Sequence, residues 1–179
     1  KPMTAAHVAC GVECVESLRL TLREKQRAKA EQAKRKEQRE VRAKLKAIRP
    51  RRKLVADLKS WMHLWVRLRD RHFGCISCGE PFTQGAIGGD FDAGHFRSVG
   101  SAKHLEFDER NIHGQCKHCN HRLAGNPIGY ERGLIARHGL DFVEAIKADN
   151  ETRKLSRETL IAKTEEYRAR ANQLKKEQA

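Results

Sequence analysis

From Leu54 onward the apolar positions recur with the period of a helix. Leu54, Leu58, Trp61, Trp65 and Leu68 fall at i, i+4, i+7, i+11 and i+14, and Val55, Met62 and Val66 widen the same face. The stretch after Pro50 therefore predicts an amphipathic helix that caps a core. Aromatic residues at helical spacing are far more often core than base-stacking surface, which places Trp61 and Trp65 inside; His63 falls outside the stripe and is expected on the surface. In the centre, GGDFDAGHF alternates apolar and polar positions around Phe91 and predicts a short strand. LEFDERNIHGQC follows, with 108–111 as a turn, and CNHRLAGN reads as a helix from Cys119 to Gly125. Towards the end, PIGYERGLIARHG and LDFVEAIKA are short amphipathic helices split by Gly139. SRETLIAKTEEYRARANQLKK is a further helix with Ser156 as its N-cap. Its weaker stripe of Leu160, Thr164, Tyr167, Ala171 and Leu174 is expected to pack on the core or on a second subunit.

Residues 19–53 break this pattern. They hold sixteen Lys and Arg against four Glu, are strong helix formers and carry no sustained a/d seam. A long solvated helix ending before Pro50 is predicted, and not a coiled coil. Mixed signs would suit a solubilising helix; an excess of twelve positive charges suits an arm along phosphates, with Lys34, Arg35, Lys36, Arg51, Arg52 and Lys53 as contacts. The whole chain agrees, with a net charge of +14 and a pI near 9.9, which favours nucleic acid ahead of an acidic membrane. With 34% charged residues and a mean hydropathy of −0.75, the chain has too little apolar material to bury all 179 residues in one core. No apolar run approaches the roughly 20 residues of a membrane span and no signal-peptide core is seen, so a cytoplasmic location is expected. Residues 1–18 carry Cys10 and Cys14 and do not start with Met. A missing start is inferred, and the two thiols are either half of a metal site, with His7 as a further ligand, or ordinary cysteines.

Reducing compartments disfavour disulfides, so the pairs CISC (75–78) and CKHC (116–119), separated by 37 residues, point to metal. Four thiolates from Cys75, Cys78, Cys116 and Cys119 suit a closed, structural, tetrahedral zinc. A variant in which His113, His118 or His121 replaces one cysteine is the minor alternative. The loop between the pairs contains FDAGHFRSVG, where His95 sits three positions after Asp92 in a glycine-flanked turn.

Cys-x-x-Cys, His95, Asn111 and Cys-x-x-Cys-Asn together resemble the HNH endonucleases in the variant that ends in Asn. More closely, CISCG, DAGHFR, the run FDERNIHGQC and the C-N-x-x-x-x-G-N pattern resemble the NinG (Rap) recombination endonucleases of lambdoid phages, over most of the chain and most strongly over 73–130. The resemblance implies an α+β fold with a small zinc-stapled ββα-metal (HNH-like) core between a basic N-terminal helix and C-terminal helices. It also implies a phage or prophage nuclease for branched recombination intermediates such as Holliday junctions and displaced-strand joints. The corresponding domains are 1–18, a partial cysteine cluster; 19–53, a basic arm; 54–150, the nuclease core; and 151–179, a C-terminal helix.

Phosphodiester hydrolysis needs a base for the water and a cation for the phosphate and leaving oxygen. His95, with space beside it, suits the base. By resemblance, Asn111 braces the loop or orients His95, and Asn120 falls at the metal-binding position, where its amide oxygen suits Mg²⁺ or Mn²⁺; His121 is a further ligand. The chain departs from the family where Asp would precede the histidine, because that place is Gly94. Asp92 is the favoured replacement, with Asp90 or Asp108 as alternatives. Arg97, Lys103 and Arg122 are expected on phosphates, and His104, His113, His118 and His138 on the surface. A symmetric junction invites a two-fold dimer. The competing class is a zinc-stapled nucleic-acid-binding module without chemistry, for which Gly94 is the best argument.

Overall fold

A computed structural model of the chain describes residues 11–82, 89 and 91–178, with the backbone alone for 13, 14, 46 and 47. His7, Cys10, the side chain of Cys14, and Asp90 lie outside the described residues. The chain separates into two compact units, 1–49 and 50–179. The first is built on α1 (Val12–Ile48), a 37-residue helix that begins earlier than the charge pattern alone suggests. It stops at Arg49, which Pro50 forces into an extended backbone with ψ 132°. Lys34, Arg35 and Lys36 are exposed along it, and Arg35 pairs with Glu31 one turn back. No described helix is long and apolar enough to cross a membrane.

The second unit begins with α2 (Arg51–Asp70). Its buried face is Leu54, Leu58, Met62, Trp65, Val66 and Leu68, while Val55 and Trp61, expected on the same stripe, are partly buried and pack against its edge. Leu58, Met62 and Val66 lose all solvent contact, each contributing about 1.5–3 kcal/mol through burial. This face packs on α5 (Arg157–Glu177), whose Leu160, Tyr167 and Ala171 join the same cluster. The C-terminal stripe is thus spent within the chain. Trp65 is closed in, with the Tyr167 ring 5.4 Å away and the Arg69 and Arg170 guanidiniums 4.8 and 3.9 Å from its centre. Ser156 caps α5 by accepting from the Thr159 N–H.

Against α2 lies a two-stranded antiparallel sheet, β1 (Phe91–His95) and β2 (Ile112–Cys116). The register pairs Phe91 with Cys116, Asp92 with Gln115 and His95 with Ile112, so the first cysteine of the second pair stands opposite the start of β1. α3 (Pro127–His138) and α4 (Leu140–Ala148) close a second core with Ile76, Leu105, Tyr130, Leu134, Val143 and Ile146. α3 lies directly on the first cysteine turn: a Cβ at Gly133 would fall 1.8 Å from the Ile76 carbonyl oxygen, and one at Gly129 2.4 Å from that of Ser77. The helix expected over CNHRLAGN is shorter than the sequence suggests. A single π-type turn covers His118–Arg122, and Gly125 leaves it at φ +89°.

Candidate metal centre and catalytic site

The two cysteine pairs converge. Cys75, Cys78, Cys116 and Cys119 place their sulfurs within 4.8 Å of one another, and Cys78 and Cys116 Sγ are 3.9 Å apart. Zinc–sulfur bonds of about 2.3 Å give a tetrahedron with edges near 3.8 Å, so the donor set fits a metal ion such as zinc. Backbone N–H groups already point at the sulfurs, Cys116 N to Cys75 Sγ at 3.3 Å and Cys119 N to Cys116 Sγ at 3.4 Å. Asn126 both caps α3 and directs its Nδ2 at Cys119 Sγ. Burial opposes the Cys75 thiolate, but N–H groups of Cys116, Cys78 and Ser77 outweigh it and lower its pKa. Burial pushes the Cys78 thiol up to about 12 and raises Cys116. A cation binding here displaces those protons, which couples metal to fold. No histidine substitutes for a cysteine in this group.

Beside the centre, β1 and the π-type turn bring Asp92, Asn120 and His121 together. Asp92 Oδ2 lies 2.8 Å from His121 Nε2 and 3.4 Å from Asn120 Nδ2. The cluster faces solvent, with 66% of the His121 side chain exposed. Which amide atom Asn120 presents is set by its partners, so the set offers a carboxylate, an amide oxygen and an imidazole to a hard or borderline cation. The geometry also accounts for Gly94. It shares the Asp92 face of the strand, and a Cβ there would meet Gln115 Oε1 at 2.2 Å. Gln115 cannot yield, because its Nε2 is held by Ser77 Oγ and the Gly125 carbonyl, both at 2.6 Å. A carboxylate on this face is carried two residues earlier, by Asp92. Asp108 is not available for the role, being engaged by Arg110 and by capping the Glu109–Asn111 turn.

His95 ends β1 with Nε2 at 3.1 Å from the Glu106 carbonyl oxygen. A carbonyl only accepts, so Nε2 carries the proton and Nδ1 keeps the lone pair. Burial lowers the pKa of the ring. The loop behind it is braced by Asn111, fully buried. Its Oδ1 accepts from Arg97 N at 2.8 Å, and its Nδ2 donates to the Arg97 and Leu105 carbonyls at 3.0 and 3.2 Å.

Four sequence expectations are corrected here. Arg97 does not face phosphate: its guanidinium donates to the carbonyls of Ile146, Lys147 and Asp149 and to Asn150, fastening the end of α4. His104 is half-buried, with Nε2 2.8 Å from the Asp149 carbonyl. His113 is buried against Tyr130, and burial lowers its pKa to about 3. His63 is not a surface residue; its ring centre is 5.7 Å from that of His95, and burial, then the charges of His95 and Lys59, lower its pKa to about 4. Signal for it existed in the sequence, as a polar stripe of Lys59, His63 and Arg67 at i, i+4 and i+8 beside the apolar one. Lys103 is exposed and pairs with the buried Glu106 carboxylate at 2.6 Å. Arg122, Arg51, Arg52 and Lys53 are exposed.

A family model described as Bacteriophage Lambda NinG protein matches residues 1–177. The protein named Protein ninG of Salmonella phage P22 is 34% identical over 174 residues, covering 93% of this chain and 83% of the relative. Protein ninG of Escherichia phage lambda is 33% identical with the same coverage, and that of Enterobacteria phage H19B is 36% identical over 104 residues, 58% of this chain and 49% of the relative. No solved structure matches the chain.

Proposed function

The chain belongs to the NinG family of lambdoid phage proteins, and from that premise we propose that it is a metal-dependent, structure-specific DNA endonuclease that hydrolyses phosphodiester bonds in branched recombination intermediates such as Holliday junctions and displaced-strand joints. The observation that carries the proposal is His95, tethered through Nε2 to the Glu106 carbonyl, on the same short strand as Asp92, whose carboxylate meets Asn120 and His121. On this reading β1, β2 and the turn after them form an HNH-like ββα-metal core.

His95 Nδ1 takes the proton of the attacking water, and the imidazolium that results keeps its Nε2–H on the Glu106 carbonyl, a dipole that favours the charge. Asn111 holds the loop that presents this carbonyl. Asp92, Asn120 and His121 would hold a Mg²⁺ or Mn²⁺ ion, which would neutralise charge on the scissile phosphate and the departing oxygen. The cysteine-bound zinc is structural, keeping Asn120 and His121, just past Cys119, in register with Asp92. Lys34, Arg35, Lys36, Arg51, Arg52, Lys53, Lys103 and Arg122 meet the DNA backbone without reading sequence.

A synthetic four-way junction tests the proposal. Nicking with Mg²⁺ or Mn²⁺, and none with chelator, is expected. Binding without nicking at every pH would leave a zinc-stapled DNA-binding module and end the enzyme reading.

A further inference from the structure

α2 carries two polar atoms of a kind that folding seldom leaves alone. His63 Nε2 and Arg67 Nε are both shut off from solvent, and neither has a hydrogen-bond partner among the described residues. Buried polar groups are nearly always bonded, so each such atom calls for an explanation. The two residues are one helical turn apart and share a face. That face looks onto the catalytic cluster: the His63 ring neighbours His95, and the charge of Asp92 acts on both His63 and Arg67.

Other arginines of this unit show what an occupied guanidinium looks like here. Arg69 grips Asp70 with two bonds, at 2.5 and 2.8 Å. Arg110 is held by Asp108, Arg170 by Glu109, and Arg97 by three carbonyls. Arg67 is half-buried, and its Nε has no hydrogen-bond partner among the described residues. Taking a cation out of water without a counter-anion is costly. A planar guanidinium kept that way beside a nuclease centre is shaped for an oxyanion, which it binds through two parallel N–H groups.

We propose that Arg67 and His63 form a phosphate-binding site on α2, in which the outer nitrogens of the Arg67 guanidinium hold one non-bridging oxygen of the scissile phosphodiester and entry of the phosphate uncovers His63 Nε2, in the tautomer protonated there, to donate to a second. The identity of the phosphate as the scissile one rests on the endonuclease reading; the site's affinity for a phosphate group does not. Asp92, Asn120 and His121 then serve the cation side of the centre, and α2 serves the anion side.

Two measurements on the full-length, zinc-loaded protein test this separately. In the first, inorganic phosphate is titrated without divalent cation while thermal unfolding is followed. The parent's melting temperature should rise, Arg67→Gln should lose most of the rise, and Arg67→Lys should keep part of it. In the second, single-turnover cleavage of a four-way junction by Arg67→Gln should slow by about 10²–10³-fold, the loss typical of removing one donor to a developing oxyanion. His63→Gln should slow it by roughly 10–100-fold, as for a lost hydrogen bond to a charged group. Zinc content and the pH profile should match the parent. A methylphosphonate at the scissile position removes the charged oxygen, so it should slow the parent and erase its advantage over Arg67→Gln. The site is overturned if Arg67→Gln keeps the full phosphate response, or if its cleavage deficit persists undiminished on the methylphosphonate. If Arg67→Gln loses zinc, the comparison of Arg67→Lys and His63→Gln with the parent decides in the same way. A parent that cuts no branched DNA but responds to phosphate through Arg67 ends the endonuclease reading and keeps the site; a parent that cuts, with a phosphate response indifferent to Arg67, does the reverse.

Discussion

A histidine whose Nε2–H is spent on the Glu106 carbonyl has one atom left to act as a base. Substituting His95 by Ala should lower junction cleavage by roughly 10²–10⁴-fold, the usual contribution of a positioned base, while zinc content and junction affinity stay near parental in a binding assay. Burial lowers the His95 pKa, so the rise of the parental rate with pH should level off before the ordinary imidazole range is reached. Asn120→Ala should fail differently: raising Mg²⁺ or Mn²⁺ should restore part of its rate, which added metal cannot do for His95→Ala. The buried histidines also set an acid limit. His63 and His113 have folded pKa values lowered to about 4 and about 3, below the 6.5 of an unfolded histidine. The unfolded chain therefore binds more protons between those values, and their contribution to stability is full above about pH 6.5 and drains as pH falls towards 4 and 3. His63→Gln should show a shallower fall of melting temperature over that window than the parent. Asp92, Asn120 and His121 were legible as a group because the resemblance to the family marks Asn120, with Asp92 and His121 as the nearest further donors. The partners of Arg97 were not, since the carbonyls it binds lie 49 to 52 residues away and only the closed fold makes them neighbours.

Helices were read well where periodicity is long. α2, α3, α4 and α5 all follow apolar spacing and caps, and Ser156 and Gly139 mark boundaries as their chemistry suggests. CNHRLAGN forms a shorter helical turn than its propensity suggests, because the positions after Cys119 are governed by the turn that the cysteines share. The apolar stripe of α2 says nothing of His63, which belongs to the polar stripe alongside it that turns towards β1. At this scale the four-cysteine centre is the joint: it ties the turn before β1 to the end of β2, and α3 rests on its backbone. Cys78→Ser should release metal and unfold the 72–126 region, since in a small metal module binding free energy is folding free energy. Zinc content by metal analysis and a lost melting transition would show it; a variant that keeps both would remove the metal from the account of stability.

As a whole the molecule sets a folded unit of 50–179 against a highly charged helical unit of 1–49. The charge excess of 19–53 and its division from the core that follows were both plain in the sequence, while the fold puts the boundary at Pro50. Removing 1–49 should weaken binding to linear, forked and four-way DNA alike and flatten the dependence of affinity on salt, because each lost phosphate contact removes about 0.9 from the log–log slope. An unchanged slope would make α1 a solubilising element. The length of α1 carries a measure of its own. Thirty-seven residues at about 1.5 Å each make a rod of about 55 Å, the axial rise of about sixteen base pairs at 3.4 Å apiece. Affinity for a junction should therefore climb as its duplex arms are lengthened to about sixteen base pairs and level off beyond, and a footprint on the DNA should extend by that distance.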